Sequence, residues 1–162
     1  MPADQIPDSG GDSSEWPWHK ERWLKRQPRV WLIDDCVEDR TLVNRAIGKL
    51  VELQVFHTGA SVLHAIAKLS DPTATSTPTS PDMLLLDFRM PRLSGPETLE
   101  RLRSLEAGQL TPVIVFSSSA AQTDIESSYA AGCNSYVTKP SGWDDYRRTL
   151  RAVIRYWLDV SE

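Results

Sequence analysis

VWLIDD, residues 30–35, is a four-residue apolar run that ends on two aspartates, and the pattern recurs as MLLLD at 83–87. Runs of this length without polar alternation suit strands of a parallel sheet covered on both faces. Working outward, LQVF (53–56), VIVF (113–116) and the shorter SYV (135–137) are further strand-length runs. Helix-length stretches lie between them, at 38–50, 60–69, 96–106, 122–131 and 143–158. Five strand-then-helix repeats predict an α/β protein: a doubly wound, five-stranded parallel sheet with right-handed crossovers and helices on both faces. The last helix is clearest, with Trp143, Tyr146, Leu150, Val153, Ile154 and Trp157 at helical spacing. Gly108 and Gly132 fall where helices should stop.

The chain has 162 residues, enough for one compact domain, with 40% apolar residues and a net charge of −4. That balance argues against a whole-chain basic footprint for nucleic acid. No apolar run approaches the ~18 residues of a membrane span, and the start Met1-Pro2-Ala3-Asp4 does not resemble a signal peptide, so a cytoplasmic protein is expected. Cys36 and Cys133 are too few and too distant for a disulfide scaffold or zinc site, and both are read as free thiols. His19, His57 and His64 form no ligand spacing, and the last two are expected to be structural.

Residues 1–28 form an N-terminal extension: Pro, Gly, Ser and Asp to about residue 15, where disorder is expected, then a Trp-rich and basic segment. Ser14 as a cap and Pro17 in the first turn predict a short helix there, ended before Pro28. Trp16, Trp18 and Trp23 admit two readings, a tail packed on its own domain or a surface that docks a partner. Residues 19–29 net +4 but residues 1–18 net −4, which disfavours a nucleic-acid arm. The connection 70–82, SDPTATSTPTSPD, reads as a mobile surface insertion.

The chemically distinctive residues all follow strands. Asp34 and Asp35 end the first, Asp87 the third, Ser117 the fourth, and Lys139-Pro140 the fifth. In an open α/β sheet, ligands bind at this carboxyl edge. Three carboxylates gathered there repel one another, and a divalent cation and the Lys139 ammonium are the natural compensators. Mg²⁺ takes carboxylates, water and phosphate oxygens, so the set suits attack by a carboxylate on a phosphoryl group. Singly, each feature has a plainer reading: a helix cap, a loop acid, a capping serine, a surface Lys-Pro. Their joint occurrence at successive strand ends outweighs those readings.

WLIDD, LLLDFRMPRLSG, PVIVFSS and AGCNSYVTKP together resemble the receiver domain of two-component response regulators, over residues 29–158 with 159–162 as a short tail. The resemblance implies a flavodoxin-like fold with strand order 2-1-3-4-5. It makes Asp87 the phosphoacceptor. Asp35, Asp34 (mostly through water) and the Arg89 carbonyl become Mg²⁺ ligands. Lys139 and Ser117 contact the phosphoryl group, and Tyr136 is the aromatic switch. It also implies a cis Lys139–Pro140 bond, a sensor histidine kinase or phosphotransfer protein as donor, slow self-dephosphorylation, and output through the surface of helix 122–131, strand 135–137 and helix 143–158. Only about four residues follow the last helix, which predicts a stand-alone receiver acting on a separate downstream protein. The 70–82 insertion, KPSGWDDY and RYWLDV are similar to receivers that partner bacterial phytochromes, and the aromatic last helix predicts a homodimer through that face. Arg89, two residues past the phosphoacceptor, is expected to influence attack by water on the phosphorylated state, and Ser119 to leave that water a less guarded approach. Two alternatives stand beside this reading: a Mg²⁺-dependent phosphohydrolase with an aspartyl-phosphate intermediate, against which Arg89 occupies the place of a general acid, and a receiver-shaped module that has lost phosphate chemistry.

Overall fold

The computed structural model describes residue 20, residues 22–76 and residues 78–161. Residues 1–19, with the expected disorder, the Ser14 cap, Pro17, Trp16 and Trp18, lie outside the described residues. The elements run α1 (Arg22–Lys25), β1 (Arg29–Ile33), α2 (Val37–Ile47), β2 (Glu52–Phe56), α3 (Gly59–Leu69), β3 (Met83–Leu86), α4 (Gly95–Ser104), β4 (Val113–Ser117), α5 (Gln122–Ala130), β5 (Ser135–Thr138) and α6 (Trp143–Arg155). The strands form one parallel sheet in the order β2-β1-β3-β4-β5.

Unbroken apolar strands are required because each feeds two cores. Successive side chains alternate between faces. Val30, Leu32, Met83, Leu85, Ile114 and Phe116 therefore point to one core, with Val43 and Ile47 of α2 and Tyr146, Leu150 and Ile154 of α6. Trp31, Ile33, Leu84, Leu86, Val113 and Val115 point to the other, with Val62 and Ile66 of α3 and Leu99 and Leu102 of α4. At about 1.5–3 kcal/mol for each large apolar side chain fully buried, these two layers supply most of the driving force. Only edge strand β2 is largely exposed.

Helix starts follow local chemistry. Thr58 with Ser61, and Ser94 with Glu97, form reciprocal capping boxes on α3 and α4. Gly95 is required by close approach: a Cβ there would lie 2.5 Å from the Asp87 carbonyl oxygen. Gly132 ends α5 with φ +102, a conformation that strains other residues.

Among the described residues, the segment before Pro28 holds one helical turn, Arg22–Lys25, set by Trp23, which is buried and donates from Nε1 to the Leu158 carbonyl at 3.0 Å. The segment around Trp23 is thus packed on its own domain. Lys20 joins it, its backbone N–H donating to Asp159 at 2.9 Å and its ammonium to the Ser161 carbonyl at 2.5 Å. The last helix gives way at Tyr156–Val160 to a wider π turn, which turns Leu158 and Asp159 inward to meet this segment. His57 and His64, expected beside the core, are both exposed because strand β2 is an edge and His64 lies on the outer side of α3. Both cysteines are free, and no described helix is long and apolar enough to cross a membrane.

Candidate functional site

The carboxyl edge of β1, β3, β4 and β5 gathers the residues that the sequence singled out. Asp34 follows β1, is buried, and takes the Cys36 N–H on Oδ1 at 2.9 Å, a turn that leads the chain from β1 into α2. Asp35 beside it is exposed. Asp87 leaves β3, its N–H bonded to the Ile33 carbonyl at 2.9 Å. One carboxylate oxygen from each of Asp34, Asp35 and Asp87 lies within 4.8 Å of the others. An all-oxygen set of this kind fits a hard divalent cation such as Mg²⁺ and offers nothing to a thiophilic metal.

Lys139 enters from the end of β5. Its backbone N–H donates to the Ser117 carbonyl at 2.7 Å, which fixes the lysine beside the end of β4. The Lys139–Pro140 bond is trans, contrary to expectation; that backbone bond and the cage around the ammonium anchor the lysine. The Nζ sits 2.8 Å from Asp39, 3.2 Å from Asp34 and 3.6 Å from Asp87, with only 8% of the side chain exposed. Burial alone would lower this ammonium, but the bond to Asp39 and the charges of Asp34 and Asp87 outweigh it and raise it above the ordinary lysine range. Asp39 was missed by sequence reasoning. Its signal is the run DDCVED, in which two further acids, Glu38 and Asp39, fall about one helical turn after the pair.

One ammonium does not balance these acids. Burial pushes Asp87 up to about 6; Lys139 opposes this, and the charges of Asp34, Asp35 and Asp39 add to it. Asp34 is also raised by burial, against the pull of Lys139. The rim is a concentration of negative charge held under partial compensation, the state in which a cation binds with most effect.

On the neighbouring strand end, Ser117 is buried and its hydroxyl accepts the Ser119 N–H at 3.1 Å. The Tyr136 hydroxyl donates to the Ser119 carbonyl at 2.8 Å, and its ring meets Phe88 edge-on at 6.4 Å. Arg89 is displaced outward: its side chain is 75% exposed, and NH2 lies 3.3 Å from Asp124 at the start of α5. Sequence reasoning missed Asp124 as well. The structure therefore brings Asp34, Asp35, Asp87, Lys139 and Ser117 to one rim, with Tyr136 beside it and the Arg89 side chain turned away toward Asp124.

A family model described as the response regulator receiver domain matches residues 31–151, and the chain belongs to that family. Receiver domains accept phosphoryl groups from histidine kinases. The probable methanogenesis regulatory protein FilR2 of Methanothrix harundinacea is 36% identical over 78 residues, 48% of this chain and 50% of FilR2. Response regulator Rcp1 of Synechocystis is 26% identical over 134 residues, 81% of this chain and 89% of Rcp1. The crystal structure of the phosphorylated cyanobacterial phytochrome response regulator RcpA shares the fold, with a TM-score of 0.73 at 24% identity, covering 84% of this chain and 97% of RcpA. Against FilR2 and other relatives the chain spans half of their length or less.

Proposed function

We propose that this chain is a response regulator that takes a phosphoryl group onto Asp87 from a phosphohistidine donor. The observation that carries this reading is the buried Lys139 ammonium shared among Asp34, Asp39 and Asp87. An Asp87 oxygen bonds to phosphorus as the donor's P–N bond breaks, and the imidazole leaves with the electron pair and takes up a proton. Lys139 exchanges part of its carboxylate contacts for a phosphoryl oxygen, and the Ser117 hydroxyl donates to another. Asp34, Asp35, Asp87 and the Arg89 carbonyl would hold Mg²⁺, which when bound would supply further positive charge to the phosphoryl oxygens. Water later attacks phosphorus, releasing phosphate and restoring the carboxylate.

The phosphoryl charge then biases the Ser117–Tyr136 arrangement and the surface of α5, β5 and α6. A sensor histidine kinase is the donor, and RcpA being a phytochrome response regulator favours a bacterial phytochrome in that role. Exposed Tyr156 and Val160 at the end of α6 favour a homodimer through the last helix, acting in the cytoplasm on a downstream protein. A phosphohydrolase reading has less support, because Arg89 pairs with Asp124 where such an enzyme needs an acid.

Incubation with Mg²⁺ and acetyl phosphate, followed by intact mass measurement, tests the proposal. A single phosphate adduct is expected, lost on metal removal and lost in Asp87→Asn. Rapid turnover of phosphate monoesters without an adduct would support the hydrolase instead.

A further inference from the structure

Ser119 is tied in four directions. Its N–H donates to the Ser117 hydroxyl at 3.1 Å, and its carbonyl accepts the Tyr136 hydroxyl at 2.8 Å. Its own hydroxyl donates to Asp124 Oδ2 at 2.5 Å and accepts the Ala121 N–H at 3.3 Å. The same Asp124 oxygen receives Arg89 NH2 at 3.3 Å. Asp124 is thus engaged by Ser119 and by Arg89, and its carboxylate lies below the usual range because of the Ser119 hydroxyl first and Arg89 after it, with a smaller share from the Thr123 side chain. Arg89 departs from the chain two residues beyond Asp87.

The two contacts on Asp124 differ in strength. The bond from Ser119 is short and mostly shielded, with 16% of the Asp124 side chain exposed. The contact with Arg89 is a single long one from a solvated guanidinium, of the kind that contributes little. A phosphoryl group on Asp87 would carry about two negative charges and three acceptor oxygens, and a guanidinium prefers such a group to one solvated carboxylate.

We infer that Asp124 is a latch that holds Arg89 away from Asp87 until a phosphoryl group draws the guanidinium across, so that Arg89 and the Ser117 hydroxyl act as two sensors converging on Ser119 and Tyr136. Once Arg89 leaves, Asp124 loses its one charged partner, keeps only hydroxyl donors from Ser119 and Thr123, and can shift with the Ser119 loop. The Ser117 hydroxyl turns toward the same phosphoryl group and gives up the Ser119 N–H. Both changes loosen the carbonyl that holds Tyr136. Arg89 on the phosphoryl oxygens also occupies the approach of water and lengthens the phosphorylated state. Asp124 is a positioning residue, since it acts only through Arg89 and Ser119. This inference rests on Asp87 being the phosphoacceptor.

The test loads the full chain and three variants, Arg89→Gln, Asp124→Asn and the double variant, with acetyl phosphate and Mg²⁺. Loss of the adduct is then followed by intact mass. Arg89→Gln is expected to shorten the lifetime and Asp124→Asn to lengthen it, each by roughly three- to fivefold, the scale that one exposed ion pair allows. The double variant should match Arg89→Gln alone, because a latch with nothing to hold has no effect. In unphosphorylated Asp124→Asn the Tyr136 ring signals in NMR should move part of the way toward their phosphorylated positions. Asp124→Ser, which keeps a small polar side chain in the first turn of α5, should reproduce the lengthening if Asp124→Asn does not fold. Multiplicative, uncoupled effects on lifetime, or an unchanged lifetime in Asp124→Asn and Asp124→Ser, would overturn the latch while leaving the adduct in place. No adduct on the unaltered chain would instead overturn the phosphoacceptor reading.

Discussion

The two ends of the sheet treat a partly shielded cation in opposite ways. At the carboxyl edge, Lys139 faces Asp34, Asp39 and Asp87, and one ammonium serves several acids. At the amino edge, Arg103 on α4 faces only neutral oxygens. Its guanidinium donates to the carbonyls of Gly132 (3.0 and 2.9 Å), Gly108 (2.7 Å), Gln109 (3.4 Å) and Thr111 (2.7 Å), and to Asn134 Oδ1 (2.9 Å). Burial lowers the Arg103 pKa, yet every direction of its planar fork is met by an acceptor. The same Asn134 oxygen also accepts the Val113 N–H at 2.8 Å, so Arg103 fixes the loops that launch β4 and β5. One end is saturated and holds the fold; the other is under-compensated and is ready to take up charge.

The contrast is broken most severely at the saturated end. Arg103→Met leaves four carbonyls without the guanidinium and Asn134 Oδ1 with the Val113 N–H alone, and a loss of about 3 kcal/mol is expected in denaturant unfolding. Arg103→Lys should recover less than half of it, since an ammonium cannot span the fork. Adduct formation per folded molecule should persist in both.

At the other end the sign reverses. Asp87 has its folded pKa raised from 3.8 to about 6, so the protonated form is favoured in the folded state. The stability this group contributes is present below its unfolded pKa and is lost as pH rises through about 6. Asp87→Asn should therefore stabilise the metal-free protein at pH 7 by about 2 kcal/mol, taking 1.36 kcal/mol for each pKa unit as the ceiling. The gain should vanish near pH 4, and Mg²⁺ should narrow it at pH 7. A gain that stayed constant from pH 4 to pH 7 would show that the rim is not electrostatically strained.

The smallest effect belongs to Tyr146. Its hydroxyl is buried among the same charges and, among the described residues, makes no hydrogen bond. Tyr146→Phe keeps the edge-on contact with Phe116 at 5.3 Å and the stack on Trp143 at 6.1 Å. It should raise stability by about 0.5–1 kcal/mol, read in the same unfolding experiment.

What the sequence revealed follows the same division. The strands were legible to within a residue, because a run such as MLLL must be apolar on both faces to fill two cores. Asp34, Asp35, Asp87, Ser117 and Lys139 were legible because strand ends place them. Asp39, Arg103 and Asp124 were not, since each lies on a helix, where a charged residue reads as solvated unless its partner on a distant segment is known. Asp39 meets a lysine one hundred residues away, and Arg103 finds its acceptors in two separate loops. The trans Lys139–Pro140 bond and the π turn at Tyr156–Val160 depend on tertiary packing in the same way.

The seam between Lys20–Trp23 and Leu158–Ser161 brings the two ends of the described residues together. Order along the chain is therefore separable from neighbourhood in the sheet. A circular permutant that starts in the exposed stretch 71–73, runs through Ser161, crosses a short glycine-serine linker to Lys20 and ends after α3 preserves every strand pairing. In such a chain β3 and its phosphoacceptor candidate are made first and β1 with its aspartate pair arrives late, so the acidic rim is completed only by the last strands to be synthesised.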